Sequence, residues 1–259
     1  MPAPPSLPAA LLQRAEADPE EPWLFRSEGW DWKWHPWGEL AGWLESWAER
    51  LLIHPPGFRA AFLDRSDPES VILDLALQAA GLVSVPVRER GDEPLWIDPP
   101  PPGTVSGRPL EREPGGAVVR TGEWAAADLV VAGESLREVI QPQKKREIVV
   151  LGGPLQDPAE RTMLAWATLA GAAVVLEPNP SFRAATAAWV RPTVFHGSPE
   201  QIAELRRSVK KVRKGRLPFR RLRTILTAEE MAAEDLAFWN EQGVAVSNLF
   251  AAQRHDRGI

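Results

Sequence analysis

Ten basic residues crowd the stretch RRSVKKVRKGRLPFRRLR, at positions 206, 207, 210, 211, 213, 214, 216, 220, 221 and 223. Positive charge at that density can receive a phosphate-bearing partner such as CoA, a phosphopantetheine carrier or nucleic acid. A solvated helix face and loop would look the same, and that is the preferred reading. Phe219 is the lone aromatic among the cations, so a stacking platform for nucleic acid is disfavoured. The histidines, His35, His54, His196 and His255, are scattered, with no carboxylate or second histidine at metal-ligand spacing, and no metal site is expected. His196 closes the apolar run PTVFHG and is the one histidine a ligand could reach, although a core or loop histidine is the commoner outcome. Cysteine is absent, which excludes disulfides, thiolate metal sites and a cysteine nucleophile. No G-x-S-x-G elbow, GxGxxG turn or Walker loop occurs. Of 12 tryptophans, five fall in WDWKWHPW and just before it. They could form an aromatic ligand platform, but a hairpin packed onto a helix is preferred.

The elements that must position these groups are legible from pattern. The chain has 259 residues, 44% hydrophobic and 25% charged, enough for one large domain or two modest lobes. A net charge of -5 argues against coating nucleic acid or an anionic membrane. No apolar run approaches the roughly 20 residues that span a bilayer. The opening MPAPPSLPAALLQRAEADPEEP lacks a basic n-region, so no signal peptide is expected and a cytoplasmic location is.

PSLPAALLQRAEADPEEP reads as a helix, Trp23 to Arg26 and Trp30 to Trp34 as a hairpin, and WGELAGWLESWAERLL as an amphipathic helix. FRAAFLD, DPESVILDLALQAAG and LVSVPV give a strand, a helix capped by Asp67, and a strand, which is a βαβ unit. The proline-rich stretch 97–116 marks a boundary. Beyond it strands and helices alternate: EIVVLGG, a helix capped by Asp157 and closed by Gly171, AAVVLEP, SFRAATAAWV, PTVFHG, SPEQIAELRRSVKKV, FRRLRTILTA, EEMAAEDLAFWNEQG and, at 244–250, an apolar alternation expected to be a buried strand. This predicts an α/β fold of two doubly wound lobes with mainly parallel sheets: a first lobe over 1–103, a link over 104–116 and a second lobe over 117–259.

Four stretches in order resemble segments of the adenylate-forming superfamily of acyl- and aryl-CoA ligases, luciferases and peptide-synthetase adenylation domains. FRAAFLDRSDPESVILDLALQAAGLVSVPV resembles its early strand–helix–strand segment. VLGGPLQDPAERTMLAWATLAGAAVVLEP is similar to its central "PLxH" segment, and VRPTVFHGSPEQIAEL to its "P-T-x-x-x-x-V-P" segment. LRTILTAEEMAAEDLAFWNEQGVAVSNLF resembles the segment from its Gly-Gly step to "N-x-Y-G-x-T-E". The resemblance implies an N-terminal domain without the small C-terminal one, and an ATP-dependent activation of carboxylates followed by transfer to a thiol.

The family's working residues have degenerate counterparts here. Of a glycine-rich phosphate loop ending in Pro-Lys-Gly, at most Thr121 and Gly122 remain, followed by Glu123. The "PLxH" histidine position holds Asp157, better suited to capping a helix. The Gly-Gly step is Ala228 and Glu229. In the last motif Asn248 is kept and Phe250 could still stack on a ring, but the threonine is Gln253 and the magnesium-holding glutamate is Arg254. The chain ends five residues after Arg254, so the ribose-binding aspartate, the hinge and the catalytic lysine of the family are expected to be lacking. The resulting expectation is a ligase-like protein that does not form adenylates alone. Its role would be to bind a small carboxylic acid, an acyl group, a carrier protein or another subunit, with no cofactor and no catalytic residue. Self-association fits surface uncovered by absent segments. Two alternatives stay open: an acid:CoA ligase using ATP, Mg²⁺ and CoA completed by another chain, and a scaffold docking through 206–223.

Overall fold

The computed structural model describes residues 6–28, 31–89, 96–97, 120–121, 124–140, 146–211 and 221–249. In chain order the elements are α1 (Leu7–Ala17), β1 (Pro22–Glu28), β2 (Asp31–Pro36), α2 (Trp37–Leu51), β3 (Arg59–Leu63), α3 (Pro68–Ala79) and β4 (Val83–Val87). After them come β5 (Arg120–Thr121), β6 (Trp124–Ala125), α4 (Ala126–Val139), β7 (Ile148–Leu151), α5 (Pro158–Ala170) and β8 (Ala173–Leu176). A 3₁₀ turn (Pro180–Phe182) leads into α6 (Arg183–Val190), β9 (Val194–His196), α7 (Pro199–Lys211), β10 (Thr224–Thr227), α8 (Ala233–Glu241) and β11 (Ala245–Asn248).

Helix boundaries follow local chemistry. Asp67 and Asp157 each accept a hydrogen bond from the first turn of α3 and α5, and a proline follows each at the first helical position. Gly171 ends α5 at φ 69°, a left-handed conformation that glycine adopts without a Cβ penalty.

Seven strands form one sheet in the order β11-β10-β9-β7-β8-β1-β2, parallel except for the β1–β2 hairpin. Residue alternation sorts its two faces. Val149, Leu151, Val174, Leu176, Val194 and Leu226 enter one core with α1 to α5; Val150, Val175, Phe195 and Ile225 enter another with α6 to α8. A fully buried aliphatic side chain contributes about 1.5–3 kcal/mol, against about 1 kcal/mol for a helix cap. The two apolar layers therefore fix the architecture, and the caps trim its edges.

The halves of the sequence do not receive one large sheet each. The tryptophan hairpin, expected in the first lobe, pairs with β8 through Leu24–Val174 and Phe25–Val175. Its burial explains why: Trp23 and Leu24 are inaccessible, and Trp23 stacks on Trp37 of α2 at 4.3 Å. Hairpin-on-helix packing thus accounts for Trp23 and Trp37, whereas Trp32 stacks on Trp189 at 5.4 Å and Trp34 is exposed. A separate two-stranded parallel sheet, β3–β4, gains an isolated bridge from Ala61 to Trp96. The link 104–116 lies outside the described residues. The last strand corrects one expectation: β11 is not buried but a half-exposed edge, because among the described residues it pairs with β10 alone. Flanking Val244 and Leu249, not the strand itself, carry the burial.

Candidate ligand cleft

From β7 the chain crosses to β8 on one side, whereas from β9 it crosses to β10 on the other. Connections that part in this way leave a crevice at the carboxyl ends of the two strands, where open α/β sheets hold ligands. A cleft of about 240 Å³ opens there. That is below the about 300–1,000 Å³ of sites for drug-sized molecules, so it suits a small group.

Its floor is polar and buried. Gly152 and Gly153 follow β7, and both must be glycine: a Cβ on Gly152 would overlap the Glu177 carbonyl, and one on Gly153 would overlap the Glu160 side chain. The space so cleared is filled by Glu160, from the first turn of α5. Its Oε2 accepts from the Gly152 N–H at 3.4 Å, and its Oε1 lies 3.5 Å from both Arg183 Nη2 and His196 Nδ1. The His196 contact is an ion-pair distance without hydrogen-bond geometry, since Nδ1 has no hydrogen-bond partner. Burial pushes the Glu160 carboxyl up, but His196, Arg183 and the Gly153 N–H outweigh it and hold the group below its ordinary value. Arg183 is braced independently, donating to the Glu177 carbonyl at 3.4 Å and to Gln201 Oε1 at 3.0 Å. Gln201 also accepts from the Ser198 N–H at 2.9 Å and so closes a capping box at the start of α7.

The loop after β3 clamps this floor from the far side. Asp64 accepts from the Leu155 N–H and from the Ser66 N–H, and Ser66 Oγ donates to the Gly153 carbonyl at 3.1 Å. Ser66 sits at φ 52°, a left-handed conformation that is costly for a residue with a Cβ. Burial pushes the Asp64 carboxyl up, and neighbouring Asp74 and Asp67 add to the rise against the two N–H donors.

No family model matches the chain, and no curated protein does. Solved structures do. The N-terminal domain of FACL13 from Mycobacterium tuberculosis superposes with a TM-score of 0.74 at 15% identity, covering 94% of this chain and 75% of that one. The o-succinylbenzoate CoA synthetase of Bacillus subtilis, in complex with its acyl-adenylate intermediate, gives 0.72 at 17% identity over 92% of this chain and 73% of that one. FmoA3, a nonribosomal peptide synthetase in an AMPPNP-bound form, gives 0.80 at 15% identity over 96% of this chain but 32% of its own. The fold is that of an acyl-CoA synthetase N-terminal domain.

On that fold, three of the degenerate positions meet at the cleft. Asp157, Ala228 and Glu229 line it together with His196 and Arg88. Asp157 caps α5 through the Ala159 N–H at 2.8 Å. Asn248 ends the edge strand β11, and Thr121 belongs to the β5–β6 ribbon; neither lines the cleft. Gly122, Phe250, Gln253 and Arg254 lie outside the described residues. The sequence reading missed Glu160, Arg183 and Gln201; the one available signal was an adjacent Glu160–Arg161 pair inside the otherwise apolar run of α5. It also overlooked that His35 has a carboxylate one helical turn on: Glu39 Oε1 stands 3.3 Å from its Nδ1, and Trp43 packs edge-on to the ring. This is a local pair, and among the described residues no group of His, Asp or Glu could hold a metal ion.

An adenylating enzyme's nucleotide and Mg²⁺ fit this lining poorly. The mouth presents the exposed carboxylates of Asp157 and Glu229, and Arg183 is already shared between Glu160, Gln201 and a carbonyl. Among the described residues Arg88 is the one other arginine or lysine in the lining. The basic run is partly spent inside the protein: Arg206 pairs with Glu234 and Asp235, and Arg223 with Glu147. Positions 212–220 lie outside the described residues.

Proposed function

We propose that the protein uses an adenylating-enzyme scaffold to bind a small acid or acyl group and does not form adenylates on its own. The observation that carries this is the composition of the cleft. The site of ligand binding in such sheets is present, but its mouth bears carboxylates and its floor is occupied by a neutralised ion cluster. A triphosphate brings several negative charges and meets two carboxylates, Asp157 and Glu229, with Arg88 to offset them among the described residues. The degenerate phosphate, adenine and metal motifs support the same reading.

Calorimetry with ATP and Mg²⁺ tests it: no binding tighter than about millimolar is expected, and a micromolar site would overturn the proposal. Pyrophosphate release should stay silent across a panel of carboxylic acids. A second reading is a ligase completed by another polypeptide; the chain spans 58% of a fatty acyl-CoA synthetase from Mycobacterium tuberculosis. It requires pyrophosphate release once candidate partner chains are added.

A further inference from the structure

The floor of the cleft already holds an anion, and holds it loosely. Arg183 Nη2 and His196 Nδ1 each stand 3.5 Å from Glu160 Oε1, and the Gly152 N–H stands 3.4 Å from Oε2. Charge-assisted bonds close to about 2.7–2.9 Å, so three donors surround this carboxylate without closing on it. The donors are also held in place without Glu160. Arg183 is braced by Gln201 and the Glu177 carbonyl, His196 is carried on β9 between β7 and β10, and Gly152 directly follows β7. The cradle would therefore persist if Glu160 turned away from it. Of the two His196 nitrogens, Nδ1 is the one sealed against Glu160.

We propose that Glu160 is a built-in competitor for carboxylates: Arg183, His196 and the Gly152 N–H form an oxyanion subsite that an external R–COO⁻ enters only when Glu160 takes up a proton and yields its place. This deepens the ligand-binding reading and rests on it. Two ionised carboxylates cannot share such a site cheaply. The groups facing Glu160 are His196 from β9, Arg183 from α6, and the N–H groups of Gly152 and Gly153. Farther out, Asp157 from its own helix, Glu229 after β10 and Arg88 after β4 complete the charged lining. Two of those three are acidic, so the mouth does nothing to ease a second negative charge. Each acid bound as carboxylate is accordingly matched by one proton taken from solution onto Glu160. Binding then tightens as pH falls, because the competitor is silenced.

Benzoate and butyrate serve as probes, titrated into the full chain by calorimetry at about pH 7 in two buffers of different ionisation heat. The wild type is expected to bind weakly with uptake of one proton. Glu160→Gln, nearly isosteric and uncharged, is expected to bind about tenfold or more tightly at the same pH with no proton uptake. Equal affinity in the two forms, or wild-type binding without proton uptake, overturns the competitor role and leaves the ligand-binding reading standing. Absence of binding in both forms removes the oxyanion subsite and the acid-binding part of the proposed function together. Should Glu160→Gln not fold, the wild-type proton count alone decides.

Discussion

Glu160 and Arg161 are neighbours on α5, both about 95% or more buried, and they face two different polar worlds. Arg161 points into a buried network: it pairs with Asp74 of α3, whose carboxylate also receives Ser84 from β4 and Gln78 at 3.0 Å. Glu160 lines an open cleft and is held at 3.4–3.5 Å by the Gly152 N–H, by His196 Nδ1 and by Arg183, which donates to Gln201 and the Glu177 carbonyl as well. The contrast separates a charge kept for architecture from one kept available. A buried pair tied by close bonds to further buried groups adds rigidity, and removing one member leaves the other stranded. A carboxylate held at longer range, by donors that the fold keeps in place without it, can be exchanged.

The largest effect is therefore expected on the closed side. Arg161→Ala should cost about 3–5 kcal/mol in urea unfolding, because Asp74 would be left charged in the interior. Replacing both members by apolar residues, Asp74→Leu with Arg161→Met, should recover only part of that loss, because Ser84 and Gln78 lose their buried acceptor. A single-variant cost under about 1 kcal/mol would mean that the network is less closed than its geometry implies. On the open side Glu160→Gln should cost less, about 1–3 kcal/mol, since the amide oxygen still accepts from Gly152 and Arg183 keeps Gln201. If the two costs came out equal, the comparison between the faces of α5 would fail.

A pH series sharpens the comparison across the floor loop, which is gripped by Glu160 on one side and Asp64 on the other. The Glu160 carboxyl is held below its ordinary 4.5, so its stabilising contribution is present above that value and is lost as pH falls through the lower folded one. The Asp64 carboxyl is pushed above its ordinary 3.8, chiefly by burial. Folding favours its protonated form, so its contribution is present below 3.8 and lost as pH rises through the higher folded value. Urea midpoints between about pH 3 and pH 7 should show opposite signs. Glu160→Gln should lessen the loss of stability on acidification, and Asp64→Asn should deepen it. Slopes that moved in the same direction would contradict the two assigned environments.

Much of the scaffold was legible in the sequence for local reasons. Asp67 and Asp157 before proline mark helix starts, Gly171 marks a helix end, and the continuous apolar runs of β7 and β8 announce buried strands. What was not legible depends on crossovers. Nothing in PWLFRSE says that it will pair with β8 150 residues later, because pairing partners are set by topology, not by propensity. The cleft was hidden for the same reason. Glu160 looks like an acidic residue favouring a helix N-terminus, Arg183 like a surface cation beginning a short helix, and His196 like the end of a strand. They meet only because β7 and β9 lie side by side while their connections part. The edge position of β11 was likewise invisible, since an apolar alternation reads as buried whether or not a further strand covers it.

The smallest expected effect concerns the mouth of the cleft, where Asp157 has two candidate reasons for being acidic. It caps α5 through the Ala159 N–H, as Asp67 caps α3 through the Ser70 N–H at 2.8 Å, but only Asp157 also lines the cleft. Asparagine retains the capping oxygen and removes the charge, whereas alanine removes both. Asp157→Ala and Asp67→Ala should each cost about 1 kcal/mol of stability, and Asp157→Asn less than about 0.5 kcal/mol. If capping is the whole role, Asp157→Asn should leave benzoate affinity unchanged. If the carboxylate also guards the mouth, the same variant should bind benzoate about twofold to fivefold more tightly at low salt, an advantage that fades within a Debye length of about 10 Å as salt approaches 0.1 M. An equally strong response in Asp67→Asn would show that the effect comes from overall charge and not from the cleft.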